Sequence, residues 1–192
     1  ERYAITSIID SDQYSSNKIK ILKFAEDSEI HTIYKNSLAL STIECLYIPS
    51  KLTDLRRWWC CGAYKLIKIQ ISPLNQNFVL IENKYLLGKT NQESDDFNVL
   101  LFAVHDVSEV SILPNIKIIS ESALSKYTNL IKVEIHNNSK LQSIEESAFS
   151  STNIKQIYPK MFRLLVNKQF HHAIIFKLLS FRKTQNYSQL IF

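Results

Sequence analysis

The sequence predicts a β-rich solenoid, a stack of units of about 23 residues, and three observations carry that reading. One apolar pattern recurs at nearly constant spacing. Its alternation has the period of a strand. Proline closes the strand-like runs.

The pattern is apolar, two variable, apolar, one variable, apolar. It opens as Ile19, Leu22, Phe24 and repeats as Ile43, Leu46, Ile48 and as Leu66, Ile69, Ile71. It returns as Val107, Val110, Ile112, then Leu130, Val133, Ile135, and in part as Ile154, Ile157. The starts lie 24, 23, 41, 23 and 24 residues apart, so the long interval holds one period plus an insertion of 18. Each unit goes on to a second apolar pair: Ile30 and Ile33, Leu52 and Leu55, Ile116 and Ile119, Leu141 and Ile144. A third pair closes it: Trp59-Cys60, Ala123-Leu124, Ala148-Phe149. Pro49, Pro73, Pro114 and Pro159 follow the first runs. Proline has no N–H to extend a ladder, so it is a natural stop.

A longer register supports the same units: residues 19–47 align without gaps on 130–158, an offset of 111. A period near 23 fits either a helical hairpin or a strand-plus-turn unit. The Ile-x-Ile alternation is β-branched, has period two, and stops within one short run, which selects the strand. No single unit buries enough apolar surface to fold alone. Stacked units share ladders and a continuous apolar column, and stability comes from neighbour contacts. This is a solenoid of the leucine-rich-repeat type.

The insertion reads as a β-hairpin island near 79–106, set into the solenoid. Tyr85-Leu86-Leu87-Gly88-Lys89 and Asp96-Phe97-Asn98-Val99-Leu100-Leu101-Phe102-Ala103 flank a polar turn. The expected organisation is a solenoid over 1–159 and a divergent basic tail or cap over 160–192, of uncertain structure. The tail carries six bases and no acid, while the other residues hold 17 bases and 18 acids, so the net charge of +5 belongs to the tail. A nucleic-acid footprint needs bases clustered on the folded body, and none is supplied. Membrane contact is expected only through the basic tail.

Several function classes fall away. Gly62 and Gly88 are the two glycines in 192 residues, against roughly 7% in ordinary chains, which argues against glycine-rich phosphate loops. Leu87-Gly88-Lys89-Thr90 imitates the end of such a loop, but Asn83 stands where its first glycine belongs and an acidic turn follows. Glu93, Asp95 and Asp96 lack the spacing and central glycine of a calcium loop. Cys60 and Cys61 are adjacent, and Cys60 falls on a unit-closing apolar position, so it reads as a packed thiol. Cys45 falls on the strand face without a base nearby, and His171-His172 has no third ligand at helical spacing. Trp58 and Trp59 read as one surface and one core aromatic. Sequons at Asn137 and Asn186 occur about as often as chance allows. No catalytic residue, metal or cofactor is expected. The chain opens Glu1-Arg2-Tyr3-Ala4, with no signal-peptide pattern and no apolar run long enough to span a membrane, and reads as a fragment or trimmed product.

If the apolar triplets point inward, the residues between them line an exposed sheet face. The candidate partner-binding residues on it are Lys23, Glu44, Tyr47, Lys68, Gln70, Glu109, Lys132, Glu134, Lys155 and Tyr158.

Ile43-Glu44-Cys45-Leu46-Tyr47-Ile48-Pro49-Ser50, Asn115-Ile116-Lys117-Ile118-Ile119 and Ser139-Lys140-Leu141-Gln142-Ser143-Ile144-Glu145-Glu146-Ser147-Ala148-Phe149 resemble the BspA-like leucine-rich repeats. Trp59-Cys60-Cys61-Gly62 resembles the Trp-Cys-x-Gly unit of the protist members. The resemblance covers about 17–159 and is lost after Pro159. It implies a non-enzymatic surface antigen, at the cell surface or extracellular, that binds a protein ligand such as a host or matrix protein. The alternatives are an intracellular repeat scaffold and a decayed fragment without function. Oligomeric state is left open.

Overall fold

The computed structural model describes residues 7–8, 19–104 and 107–157. Among them are short strands and no helix, wound as a solenoid of parallel ladders. The tail over 160–192, Tyr158 and Pro159 lie outside the described residues.

Each regular unit has three sides. The first apolar triplet forms the front strand, the second pair forms a back strand, and a turn segment leads into the next unit. The back strand β1 is Ser7–Ile8. The next unit has front strand β2 (Ile21–Lys23) and back strand β3 (Thr32–Ile33). Then come β4 (Cys45–Ile48), β5 (Asp54–Leu55) and front strand β6 (Lys68–Ile71). The insertion contributes β7 (Val79–Ile81), β8 (Tyr85–Lys89) and β9 (Phe97–Ala103). The regular order resumes with β10 (Glu109–Ile112), β11 (Ile118–Ile119), β12 (Lys132–Ile135), β13 (Ser143–Ile144) and β14 (Gln156–Ile157).

The front strands form two separate three-stranded parallel sheets, β2-β4-β6 and β10-β12-β14. Their registers put like on like: Leu22 beside Leu46 beside Ile69, and Val110 beside Val133. These positions face inward, with Leu46 and Val133 fully buried. The back ladder stacks Ile33 on Leu55, and Leu100 on Ile119 on Ile144. The third side buries Leu38, then Trp59 and Cys60, then Ala123 and Leu124, then Ala148 and Phe149. All three apolar signatures of the sequence therefore line one continuous core. Burial of these side chains is the main source of stability.

The six-residue turn segments 35–40, 57–62, 121–126 and 146–151 share one set of bonds three residues back, and 35–40 and 121–126 alternate these with bonds to the next unit. In the first, the N–H groups of Ser37, Ala39 and Ser41 donate three residues back, to Tyr34, Asn36 and Leu38. Those of Leu38 and Leu40 donate instead to Trp59 and Cys61 of the next unit. The same division holds where Ser122, Leu124 and Lys126 donate to Glu146, Ala148 and Ser150. Buried backbone groups must be paired, and this scheme pairs them within and between units in turn. The geometry has a cost: the second and sixth residue of each segment are left-handed, namely Asn36 and Leu40, Trp58 and Gly62, Ser122 and Lys126, Ser147 and Ser151.

The insertion departs from expectation in one respect. The hairpin is present, as β8 and β9 pair antiparallel around the polar turn. It is not an island. β9 also pairs parallel with β11, so it serves as the back strand of its own unit. β7 adds a further antiparallel strand, giving the order β13-β11-β9-β8-β7. Glu82 and Asn83, both at positive φ, make the tight turn between β7 and β8, closed by Lys84 N–H to Ile81 carbonyl at 2.9 Å. Asn75 ties the incoming loop to the preceding unit. Its amide donates to the carbonyls of Pro49, Ser50 and Leu52 and accepts from the N–H groups of Asn77 and Phe78.

Five residues, 104–108, separate β9 from β10, too few for a six-residue turn segment. The segments 57–62 and 121–126 meet across that gap through side chains. Arg57 pairs with Glu121, and Cys61 Sγ lies 3.5 Å from Ser125 Oγ. Phe102 fills the space between them, edge-on to Trp59 at 5.9 Å and to Tyr127 at 6.2 Å. The Tyr127 hydroxyl donates to the Ala103 carbonyl.

Candidate functional site

The front face is built by strand alternation. With Leu46, Ile48, Ile69, Val110 and Val133 turned inward, the residues between them point out. One outer row runs Ile21, Cys45, Lys68 and, past the sheet break, Glu109 and Lys132. The other runs Lys23, Tyr47, Gln70, then Ser111 and Glu134. Glu44 and Lys155 stand just before β4 and β14. The face thus holds nine of the ten candidate residues, and Tyr158 falls outside the described ones.

Several of these side chains hold one another. Glu44 accepts from Lys20 at 2.7 Å, and that ammonium keeps its carboxyl below the usual range. Glu109 accepts from Lys132 at 2.9 Å. The Lys23 ammonium lies 5.5 Å from the Tyr47 ring centre. Glu26, which the repeat pattern does not single out, accepts from the hydroxyls of Ser72 and Tyr47. Those bonds lower its carboxyl pKa, chiefly through Ser72, and the same carboxylate raises that of Tyr47. Ser111 Oγ bonds His136 Nε2 at 2.9 Å. Lys68, Gln70 and Glu134 make no side-chain hydrogen bond or ion pair among the described residues.

At the break between the half-sheets lies a cleft of about 490 Å³. Tyr64, Lys65 and Ile67, on the stretch leading into β6, line it with Glu44, Val107 and Lys126. Sequence reasoning misses this feature. The interval of 41 residues reveals an insertion, but not that the insertion takes the place of a turn segment.

Gly88 lies within β8, at a bulge where an added Cβ would meet Leu101 Cδ1 at 2.8 Å, and the Thr90 N–H is taken by Asn98. Glu93 and Asp96 hold turn bonds through Asn91 and Ser94, and no group of three or more His, Cys, Asp or Glu side chains suited to a metal lies among the described residues. Cys45, Cys60 and Cys61 are free thiols, with Cys60 buried and its pKa pushed well up by desolvation. Trp59 is core, and Trp58 lies under the Lys35 ammonium at 4.7 Å. Asn137 sits in an exposed turn after β12. His171, His172 and Asn186 lie outside the described residues. No helix among the described residues is long and apolar enough to cross a membrane.

Residues 3–86 and 89–177 match the BspA type leucine rich repeat region, in six copies. Similar solved structures include a leucine rich cell surface protein from Faecalibacterium prausnitzii, with TM-score 0.66 and 17% identity over 81% of this chain and 39% of that one. The pneumococcal vaccine antigen PcpA gives TM-score 0.62 and 20% identity, over 75% of this chain and 34% of that one. A leucine-rich repeat protein from Eubacterium ventriosum gives 0.52 and 17%, over 74% and 42%. At these identities the likeness shows the fold alone, and this chain spans less than half the length of each. No curated protein matches the chain.

Proposed function

Since the chain belongs to the BspA-type leucine-rich repeat family, whose repeats generally bind proteins and are typically non-catalytic, we propose that it is a non-enzymatic binding module acting in cell-surface adhesion or host-protein recognition. The contact surface is the front strand face, and the partner is a host or matrix protein. The binding domain is 1–159 with 79–106 as its insertion, and any membrane contact runs through the basic residues of 160–192. The observation that supports this reading is the outward register of the front strands. It sets polar, cationic and aromatic side chains in two parallel rows, and Lys68, Gln70 and Glu134 are left unengaged on them. Extended faces of this kind are what stacked-repeat proteins offer to partners.

Two measurements test it. Antibody raised to residues 17–159 should label intact, unpermeabilised cells. Labelling only after permeabilisation would place the module inside the cell and defeat the adhesion reading. Purified protein should bind at least one member of a panel of extracellular matrix proteins. Charge reversal at Lys68, Lys132 and Lys155 together should weaken that binding by about tenfold or more while the melting curve stays in place. Undiminished binding would remove the strand face as the site.

A further inference from the structure

We propose that the cleft between the half-sheets is a docking site for an acidic peptide segment of a partner protein that carries an apolar anchor. This rests on the protein-binding reading above and adds the partner's chemistry and its place of entry.

The cleft exists because the inserted unit goes from β9 to β10 without a turn segment. Its volume of about 490 Å³ lies in the range of ligand-binding pockets. Its walls are partly apolar and open to solvent: Tyr64 is 53% and Ile67 56% exposed, and Val107 is half-buried. Aromatic and aliphatic side chains so exposed gain most from a partner's apolar group.

The charge around them is one-sided. Lys65 and Lys126 line the cleft without an ion pair among the described residues, Lys65 lying 5.9 Å from the Tyr64 ring centre and adding to the field on Glu44. The lining acid Glu44 is held by Lys20, so its charge is largely offset. Lys68, also without an ion pair among the described residues, carries the same sign onto the neighbouring strand. The β10-β12-β14 half has no such excess, since Lys132 is matched by Glu109 and Glu134 stands beside it. Carboxylates flanking an apolar side chain complement this arrangement. A bare anion would leave Tyr64 and Ile67 uncovered.

Fluorescence anisotropy on the full chain at low ionic strength tests this. The probe is a fluorescein-labelled peptide of four acidic residues around a central Phe-Leu pair. The expected result is saturable binding, absent for the same peptide with lysines replacing the acids. Lys65→Glu with Lys126→Glu should weaken it about tenfold or more, and Tyr64→Ala should weaken it as well. Lys155→Glu, on the other half of the face, should change it by less than about twofold. If the double reversal lowers the melting temperature, Lys65→Gln with Lys126→Gln reads the loss without added repulsion. No saturable binding of the acidic peptide overturns the inference, as does an equal loss from Lys155→Glu. If reversal at Lys68, Lys132 and Lys155 abolishes matrix-protein binding while the cleft pair leaves the peptide bound, the cleft falls and the strand face stands. If the cleft pair alone abolishes peptide binding and the face variants leave matrix binding intact, the cleft stands and the strand-face reading falls.

Discussion

Gly62 shows how a single residue is fixed by its unit. At φ +73 it occupies the left-handed region that glycine tolerates. A Cβ there would meet Leu40 Cδ2 and Lys126 Cδ, each at 2.9 Å. Gly62→Ala should therefore cost more than about 1 kcal/mol, read from urea unfolding. Leu40, 60% exposed, holds the equivalent place one unit earlier and has a side chain that the conformation disfavours. Leu40→Gly should raise stability, by no more than about 1 kcal/mol. A drop in melting temperature would show that its contacts outweigh the backbone strain. Glu26 gives a pH test. Its carboxyl pKa is lowered in the folded state by Ser72 and Tyr47, so its contribution is present above the ordinary carboxylate pKa and lost as pH falls through the lowered value. The difference in melting temperature between native protein and Glu26→Gln should be clear at neutral pH and close as the medium becomes strongly acidic. None of this is legible in the sequence. Of the eight left-handed turn positions one is glycine, and at Leu40, Ser122 and Lys126 the N–H donates to the next unit, a bond that no residue type announces.

At the scale of elements the insertion is the informative case. The β8–β9 hairpin was legible because two apolar runs flank a polar turn rich in Asn, Ser and Asp. Val79-Leu80-Ile81 gave no such signal, being three apolar residues without alternation before a turn that lacks Asn-Gly. The double pairing of β9 was hidden too, since its parallel partner β11 comes later in the chain and is found only by folding. Phe102 is what this pairing puts between the turn segments. Phe102→Ala should cost about 3–5 kcal/mol, because the Trp59 and Tyr127 rings lose their shared neighbour. Asn75→Ala should cost about 1–3 kcal/mol, since it strips partners from carbonyls and N–H groups of two successive units. A smaller effect, within the error of chemical unfolding, would mean that water replaces the side chain without penalty.

The whole molecule is a sum of neighbour contacts with one irregular layer. Spacing, alternation and proline were enough to read the solenoid and the inward register, because every regular unit repeats the same local solution. The interruption of the front sheet was not readable, because it depends on which side of the unit the inserted residues replace. It has a measurable effect. β4 has a ladder neighbour on each side, whereas β6 and β10 each have one. Native-state hydrogen exchange should protect the interior of β4 and β12 more than β6 and β10. Equal protection across all four would mean that the two half-sheets open as one cooperative block.

The alternating backbone bonds of the turn segments also have a direction. Within them, N–H groups of the earlier unit donate to carbonyls of the later one. On the strand sides the sense is reversed: the N–H groups of Glu44, Thr53, Ile67, Lys117, Ile131 and Lys155 donate back to the carbonyls of Lys20, His31, Glu44, Asn98, Ser108 and Ile131. Donors and acceptors therefore point both ways along the column, and the sides of each unit offset one another's dipoles, so the stack grows by repetition without accumulating a field along its axis.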